Sequence, residues 1–195
     1  MEVKKFNLDE LKKNLNAFSC YILGRSYDLE ENGATENFSE ALKYYNEGIK
    51  LGSPLCEYSL GISLMFGLGD VLDIDKEKGT KLLMDAYPKI LDLINNQNIS
   101  PIEKLYAKFV TGAYYYYGLG NVEKDDKKAF EIIKECADKG HIAAIYDLGA
   151  NFYYNGVGTR QDIEKARYYL NIAKEEGLSR AIKKYNDYGF SNIKK

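Results

Sequence analysis

The chain has 195 residues, and its 27 Lys or Arg against 29 Asp or Glu leave it close to neutral. This balance argues against a general nucleic-acid binder, which presents a basic stripe to the phosphates. No apolar run has the length of a signal peptide or a membrane span, and three cysteines are too few for a secreted disulfide scaffold. We therefore expect a reduced, cytoplasmic protein without a nucleic-acid or membrane partner.

The first predicted unit joins two helices through a turn. Its first helix starts at about Leu8, with Asn7 or Asp9 as the cap, and continues through "CYILGRSYDLEENG". Its second helix, in "NFSEALKYYNEGIKLG", follows Asn37, whose side-chain oxygen is spaced with Glu40 as a capping box. A glycine just past the last turn is the expected stop of this helix.

Three further units repeat this pattern along the chain. Each first helix carries an anchor glycine, at Gly24, Gly61, Gly112 and Gly149. Each second helix carries a small residue, followed four and seven positions later by apolar or small residues on the same helix face: Ala41, Gly79, Ala129 and Ala166. The polar residues four positions earlier predict caps at Asn37, Asp75, Asp125 and Asp162.

An insertion lies between the second and third units. The small positions of the second helices are 50 residues apart there, against 37 at the next spacing, so about 13 residues are extra. We expect the helix before it to run to about Asn95, with a kink or offset near Pro88. Ser100–Glu103 restarts a helix, because Ser caps it, Pro suits its first position and Glu its third. Whether segment Pro88–Pro101 marks a binding or dimer contact or a tolerated insertion stays open.

The repeated pattern A-x-x-x-L-G-x-x-[YF]…G-x-G-[VL]…D-x-x-K-A resembles the Sel-one-like repeat, a relative of the tetratricopeptide repeat. The unit most similar to it is the fourth, "AIYDLGANFYYNGVGTRQDIEKARYYLNIAKEEG". The resemblance covers about residues 17–190 and implies an all-α, right-handed superhelical solenoid of about four helix-turn-helix repeats plus a C-terminal capping helix. We expect one domain over 1–195, with repeats at about 8–52, 53–99, 100–140 and 141–177 and a cap at 178–190.

Three departures from the pattern affect local geometry. The first unit has "DLEENGATENF" in place of the Gly-x-Gly turn, and Gly79 stands where Ala is usual. The fourth unit has seven residues from Gly149 to Gly156, where the second and third have six between the equivalent glycines. None of these changes the predicted fold.

The resemblance implies a protein-binding adaptor or scaffold that is not an enzyme and needs no cofactor. By register, the concave face carries the partner-binding positions Tyr21, Tyr58, Met65, Phe66, Phe109, Tyr116, Tyr117, Tyr146, Tyr153 and Tyr154. Tyr suits such a face because it offers a large, stiff contact area and a hydroxyl. The alternative for the column three positions before each glycine, Tyr21, Tyr58, Phe109 and Tyr146, is packing between neighbouring helices.

Other motifs predict structure rather than chemistry. The Gly-x-Gly segments lack the preceding strand that a phosphate loop needs, so "YYYYGLG" is expected to be helix and turn, with Tyr115 in the core and no assigned role for Tyr114. His141 has no metal-ligand spacing around it. Cys56 and Cys136 are expected in the core, and Cys20 partly exposed. We predict no catalytic residue and no metal.

We therefore expect an adaptor that binds a peptide or a partner helix in an aromatic-lined concave groove. The alternative is a stoichiometric inhibitor or regulator of one enzyme or toxin. Hydrolysis of cell-wall or β-lactam substrates, proposed for some relatives of the family, is remote because the sequence has no Ser-x-x-Lys and no nucleophile–base set. The oligomeric state stays open.

Overall fold

A computed structural model describes residues 2–192 of the chain as a series of helical hairpins. The helices are α1 Leu8–Lys13, α2 Ala17–Leu29, α3 Phe38–Lys50, α4 Pro54–Phe66, α5 Lys76–Asn95, α6 Pro101–Tyr117, α7 Asp126–Asp138, α8 Ile142–Asp147, α9 Ile163–Glu175 and α10 Ser179–Asp187. A π-helical segment, Leu148–Tyr153, continues α8, and a 3₁₀ turn covers Phe190–Asn192. The all-α repeat fold predicted from the sequence is confirmed.

The two helices of each hairpin approach closely at the anchor glycines. A Cβ atom on Gly61 would lie 2.8 Å from Leu83, and one on Gly112 would lie 2.7 Å from Ile133. Any larger side chain would therefore push the paired helices apart, since protein interiors leave no spare volume at such contacts. The glycine column is thus a packing requirement of the repeat.

The second helices of the hairpins start at the predicted caps. The side chains of Asn37, Asp75, Asp125 and Asp162 each accept a hydrogen bond from the backbone three residues on. Pro88 lies inside α5, which ends at Asn95, and α6 begins at Pro101 with Ser100 as its cap. The predicted cap positions and the end of α5 are confirmed, because capping depends on local residues. The capping box predicted between Asn37 and Glu40 is wrong, since the Asn37 N–H donates to Tyr27 O.

The start of the first repeat differs from the prediction. The expected single helix from Leu8 is two helices, because Asn16 ends the irregular segment after α1 and caps α2. The capping box forms there, between Asn16 and Ser19. At Asn37 the backbone N–H donates instead to Tyr27 O at 2.8 Å, which ties the turn of the first hairpin to α2.

The first repeat keeps the Gly-x-Gly geometry without the glycines. Gly118 and Gly120 have φ values of 65° and 60°, and Glu30 and Asn32, at the equivalent positions, have 52° and 54°. Such a backbone favours glycine, and Asn tolerates it better than most residues. The residue between the two positions is buried in both repeats: Leu119 in the third and Glu31 in the first. A carboxylate therefore occupies an apolar position of the repeat.

The π-helical segment absorbs the extra residue of the fourth repeat. A π turn adds one residue per turn to an α-helix. After it, Val157 N–H donates to Phe152 O at 3.1 Å, just as Leu119 N–H donates to Tyr114 O at 3.2 Å in the third repeat. Phe152 therefore corresponds to Tyr114, and Tyr153 to Tyr115. In the fourth repeat, the predicted register is therefore wrong by one position at the C-terminal end of the first helix.

The superhelix winds tightly enough for its two ends to meet. In the N-terminal arm, Lys4 N–H donates to Gly140 O at 3.1 Å, in the turn after α7. The Arg180 guanidinium of α10 also lies 2.9 Å from the carboxylate of Glu31 in the first hairpin. Contacts between the first and last parts of the chain therefore close the curve of the repeats.

Tyr114, which the sequence left unassigned, holds the second and third repeats together. Its side chain is fully buried, and its hydroxyl donates to Leu83 O of α5 at 2.8 Å. Its ring centroid lies 4.6 Å from that of Tyr87 and 5.5 Å from that of Tyr58. The burial raises the pKa of this phenol. Tyr114 is therefore a core residue that the neighbouring repeat requires.

We expect Gly149→Ala to lower the free energy of unfolding by about 2–3 kcal/mol, the range for overpacking a core. The new Cβ would lie 2.7 Å from Leu170 Cγ and 2.9 Å from Ala166 O, a backbone atom that cannot turn aside. Urea unfolding followed by circular dichroism measures the change. Gly177→Ala is the control, since it has a φ of +85° but no atom within 4 Å, and it should cost about 1 kcal/mol. Equal losses would contradict the packing argument.

Candidate functional site: a polar cavity on the concave side

A cavity of about 430 Å³ opens on the inner side of the superhelix, and we call it the concave cavity. Its walls come mainly from the first helices of the repeats, with Tyr45 of α3 and Arg180 of α10 added to them. Its lining includes Arg25, Asp28, Tyr58, Ser59, Phe66, Phe109, Tyr117, Asp147 and Arg180. The cavity therefore combines aromatic rings with charged groups.

Two of the predicted partner-binding residues lie exposed at this cavity. Phe66 ends α4 and is 64% exposed, and Tyr117 ends α6 and is 58% exposed. They occupy equivalent positions of neighbouring repeats, since the glycine of the turn follows each of them directly. Both line the concave cavity.

Three other predicted residues are buried instead. Packing between neighbouring helices, the alternative to a groove wall, is what the structure has at Tyr21, Tyr58 and Phe109. The ring of Tyr21 lies 6.0 Å from that of Tyr106, and Phe109 stacks on His141 at 4.2 Å. The expectation that this column forms an open groove wall is wrong for these three, because the superhelix closes over it. Tyr58 and Phe109 still line the cavity from below.

The remaining predicted residues are partly or fully covered by their own neighbours. Tyr116 packs on Phe152, Tyr146 lies under the Arg180 guanidinium, and Tyr154 stacks on Tyr188. Met65 accepts a hydrogen bond from Thr80 through its sulfur. Tyr153 is only 5% exposed, so its expected exposure is wrong. The π-helical segment gives it the position that Tyr115 has in the third repeat. Tyr115 itself is half-buried and its hydroxyl accepts a hydrogen bond from Lys128, so its expected place in the core is wrong.

A buried carboxylate organises the charges next to the cavity. Glu31 accepts hydrogen bonds from Arg25 Nη2 at 2.6 Å and Nε at 3.2 Å, and from Arg180 Nη2 at 2.9 Å. Burial alone would raise the pKa of Glu31, but the two guanidinium groups outweigh it and lower that pKa. Sequence reasoning missed this network. Its signal was a Glu at the apolar position of the turn.

Two further carboxylates reach the cavity without an ion pair in the described part of the chain. Asp28 accepts a hydrogen bond from Tyr45 OH at 2.9 Å, and Asp147 accepts one from Asn151 Nδ2 at 3.1 Å. Burial raises the pKa of Asp28, and it raises that of Asp147 to about 6 even though Arg180 and Arg25 act against it. Burial and then the charge of Asp147 raise the pKa of Tyr117 to about 12. The two aspartates are therefore incompletely compensated.

Two hydroxyl groups in the cavity wall lack a protein partner. Tyr58 and Ser59 are 9% and 7% exposed, and both line the concave cavity. Within residues 2–192, neither hydroxyl takes part in a hydrogen bond, while the adjacent Ser63 hydroxyl donates to Ser59 O at 3.0 Å. Nearly buried hydroxyls normally find a partner. These two are therefore available to a ligand in the cavity.

His141 and the cysteines have structural positions. His141 is fully buried, and its Nδ1 accepts from Ala144 N–H at the start of α8. Burial lowers its pKa well below the usual value, with Arg25 and Arg180 adding to the effect. Cys20 is fully buried like the other two cysteines, which corrects its expected partial exposure. No group of three or more possible metal ligands occurs within residues 2–192.

The insertion builds a second, larger concavity of about 890 Å³. Its apolar floor includes Ile94, Ile99 and Leu105, and five lysines line it. Several of these lysines already pair with protein carboxylates, as Lys5 does with Glu176 at 2.8 Å.

None of the described helices is both long and apolar enough to cross a membrane.

The stacked helical hairpins define a helical-repeat protein. The Sel1 repeat family matches residues 17–53, 54–83, 105–141 and 142–178. The chain belongs to this family. Sel1 repeats generally mediate protein–protein interactions and are typically non-catalytic scaffolds.

The chain is similar to curated relatives and to solved structures of repeat proteins. Protein sel-1 homolog 2 of Rattus norvegicus is 32% identical over 145 residues, which is 72% of this chain. The chain spans only 20% of that relative's length. A Sel1 repeat protein from Oxalobacter formigenes has a TM-score of 0.45 and 22% identity, covering 90% of this chain and 72% of its own. The c5321 protective antigen of uropathogenic Escherichia coli has a TM-score of 0.43 and 23% identity, covering 91% of this chain and 35% of its own.

We expect Glu31→Gln to lower the free energy of unfolding by about 3–5 kcal/mol near pH 7, because it leaves buried guanidinium charge uncompensated. Glu164→Gln is the control: it removes an exposed Arg–Glu pair of the same 2.6 Å length, which contributes less than about 1 kcal/mol. Urea unfolding at several pH values measures both.

The stabilisation that Glu31 provides should decrease as the pH falls. Because folding lowers the pKa of Glu31 from its usual 4.5, the stabilisation is present above pH 4.5 and is lost as the pH falls through the folded-state pKa. The wild-type advantage over Glu31→Gln should therefore shrink in acid. A constant difference between pH 7 and pH 3 would contradict the assignment.

Proposed function

We propose that this protein is an interaction module that binds a peptide or a helix of a partner protein at the concave cavity. Phe66 and Tyr117 are the contact residues in this proposal. The observation that carries it is the exposure of two large aromatic side chains, at matching positions of adjacent repeats, beside a cavity whose wall presents the hydroxyls of Tyr58 and Ser59. Aromatic residues of this kind dominate the energy of protein interfaces.

The exposure of this pair has a free-energy cost that binding would recover. Burying an exposed aromatic side chain contributes about 1.5–3 kcal/mol. Most aromatic side chains of this chain are buried or half-buried and gain at least part of that energy, whereas Phe66 and Tyr117 are exposed. Their rings lie on rigid helix ends, so ordering them costs a partner little.

The size of the concave cavity limits what can enter it. A volume of about 430 Å³ suits one or two side chains rather than a whole helix, since cavities of about 300–1,000 Å³ hold drug-sized molecules. We infer that a partner inserts a side chain between the helix ends and lays its backbone across Phe66 and Tyr117. The partner would thus contact the ends of the first helices around the concave cavity, and would not lie along an open groove.

We expect Phe66→Ala with Tyr117→Ala to weaken partner binding at least about a hundredfold, as loss of two interface anchors does. Affinity purification from the source organism, with mass spectrometry, identifies the partners, and calorimetry compares their affinities for the variants. Tyr168→Ala is the matched control, because Tyr168 is 59% exposed on α9 and lies away from the cavity.

The same experiment separates the two modes of action. Several partners would indicate an adaptor, and a single protein in a tight one-to-one complex would indicate an inhibitor or regulator of that protein. Unchanged affinity of all partners for the folded double variant would contradict the proposed site.

A further inference from the structure

We propose that the concave cavity recognises a cationic side chain, Lys or Arg, of the partner peptide, with Asp28 and Asp147 as its counter-ions. This inference rests on the proposed function and adds the chemistry of the ligand. It follows from the charges around the cavity, from the aromatic walls and from the two free hydroxyls.

The charges at the cavity do not balance. Arg25 and Arg180 are positive, and Glu31, Asp28 and Asp147 are negative. Glu31 binds both guanidinium groups directly, while neither aspartate has an ion pair in the described structure. One additional positive charge makes the group neutral. The attraction between a partly buried carboxylate and a cation is stronger than in bulk water, because the effective dielectric constant there is lower.

An anionic ligand fits the same cavity less well. It would have to compete with Glu31, which holds Arg25 through two hydrogen bonds. The second guanidinium, that of Arg180, also bonds Glu31 and lies 4.9 Å above the ring of Tyr146. Its Nε lacks a hydrogen bond in the part of the chain described, but it is buried and closed to a ligand. The arginines are therefore parts of the wall.

The walls of the cavity suit an ammonium or guanidinium group. Phe66, Tyr117 and Tyr58 bring aromatic rings to it, and the π faces of such rings attract cations within about 6 Å. The ring of Phe109 already has the Arg25 guanidinium 5.6 Å from its centroid. The hydroxyls of Tyr58 and Ser59 can accept hydrogen bonds, and Lys or Arg side chains bring only donors. The carboxylates thus match the charge of a Lys or Arg side chain, the aromatic rings attract the same cation, and the hydroxyls accept hydrogen bonds from its N–H groups.

The pH dependence of binding gives this proposal an independent readout. The groups that act on Asp147 are Arg180 of α10, Arg25 of α2, Glu31 of the first turn and Asn151 of the π-helical segment. The titratable phenols that face it are Tyr116 and Tyr117 of α6 and Tyr146 of α8. With its pKa at about 6, Asp147 is mostly ionised at pH 7 and mostly protonated at pH 5. A bound cation favours the ionised form, so affinity should fall about tenfold from pH 7 to pH 5.

The experiment uses random dodecapeptides displayed on phage and selected at pH 7.5 on the full chain. We expect enrichment of peptides that share a Lys or Arg. Replacing that residue by norleucine, or using Asp28→Asn with Asp147→Asn, should weaken binding at least about tenfold, and binding should weaken again at pH 5. Asp147→Asn alone keeps the Tyr45–Asp28 hydrogen bond and serves if the double variant is less stable.

A matched charge control and two outcomes complete the test. Asp70→Asn with Glu123→Gln removes two exposed carboxylates outside the cavity and should leave affinity unchanged. Enriched peptides that need Phe66 and Tyr117 but are indifferent to Asp28 and Asp147 would overturn the cation proposal and leave the proposed function standing. No enrichment over the Phe66→Ala, Tyr117→Ala variant would overturn both.

Discussion

The buried carboxylate of Glu31 is the contact on which the shape of this molecule depends. It bonds Arg25 on α2 and Arg180 on α10, residues that are far apart in the chain, and so fixes the first repeat against the C-terminal helix. Taking three charges out of water is costly unless each is paired, and here Glu31 pairs with both guanidinium groups. The solenoid is therefore held in a closed curve, and its first and last helices act as one wall.

Closure decides what kind of surface the repeats can offer. An open solenoid presents a long groove lined by its first helices, but in this chain Tyr21, Tyr106 and His141 fill that space. What stays accessible is the concave cavity, with Phe66 and Tyr117 exposed at it. The same arginines that close the curve also leave Asp28 and Asp147 without full compensation. Structural closure and the chemistry of the candidate site are thus consequences of one charge network.

Two local irregularities of the backbone change which side chains face the core, and the repeat pattern continues through both. The π-helical segment takes up one residue and turns Tyr153 inward, and the left-handed Glu30 and Asn32 replace two glycines so that Glu31 points inward. Each is a departure from the repeat pattern visible in the sequence. π segments often coincide with functional positions, and this one carries Asn151, the hydrogen-bond partner of Asp147.

The sequence by itself determined most of the helices, the caps of the second helices and the pairing within each hairpin, but not the break between α1 and α2 or the π-helical segment. These features depend on residues close together in the chain, such as Asp125 and Lys128 or Gly61 and Leu83, so periodicity and capping rules suffice. Only the tertiary structure decided which aromatic residues are buried, that Cys20 is in the core, and that Glu31 meets Arg180. The reason is physical, because those outcomes depend on how tightly the repeats wind. The winding is the sum of the small rotations between neighbouring repeats, and no local sequence pattern encodes that sum. The exposed pair, Phe66 and Tyr117, was predictable from register, but the charges beside it were not.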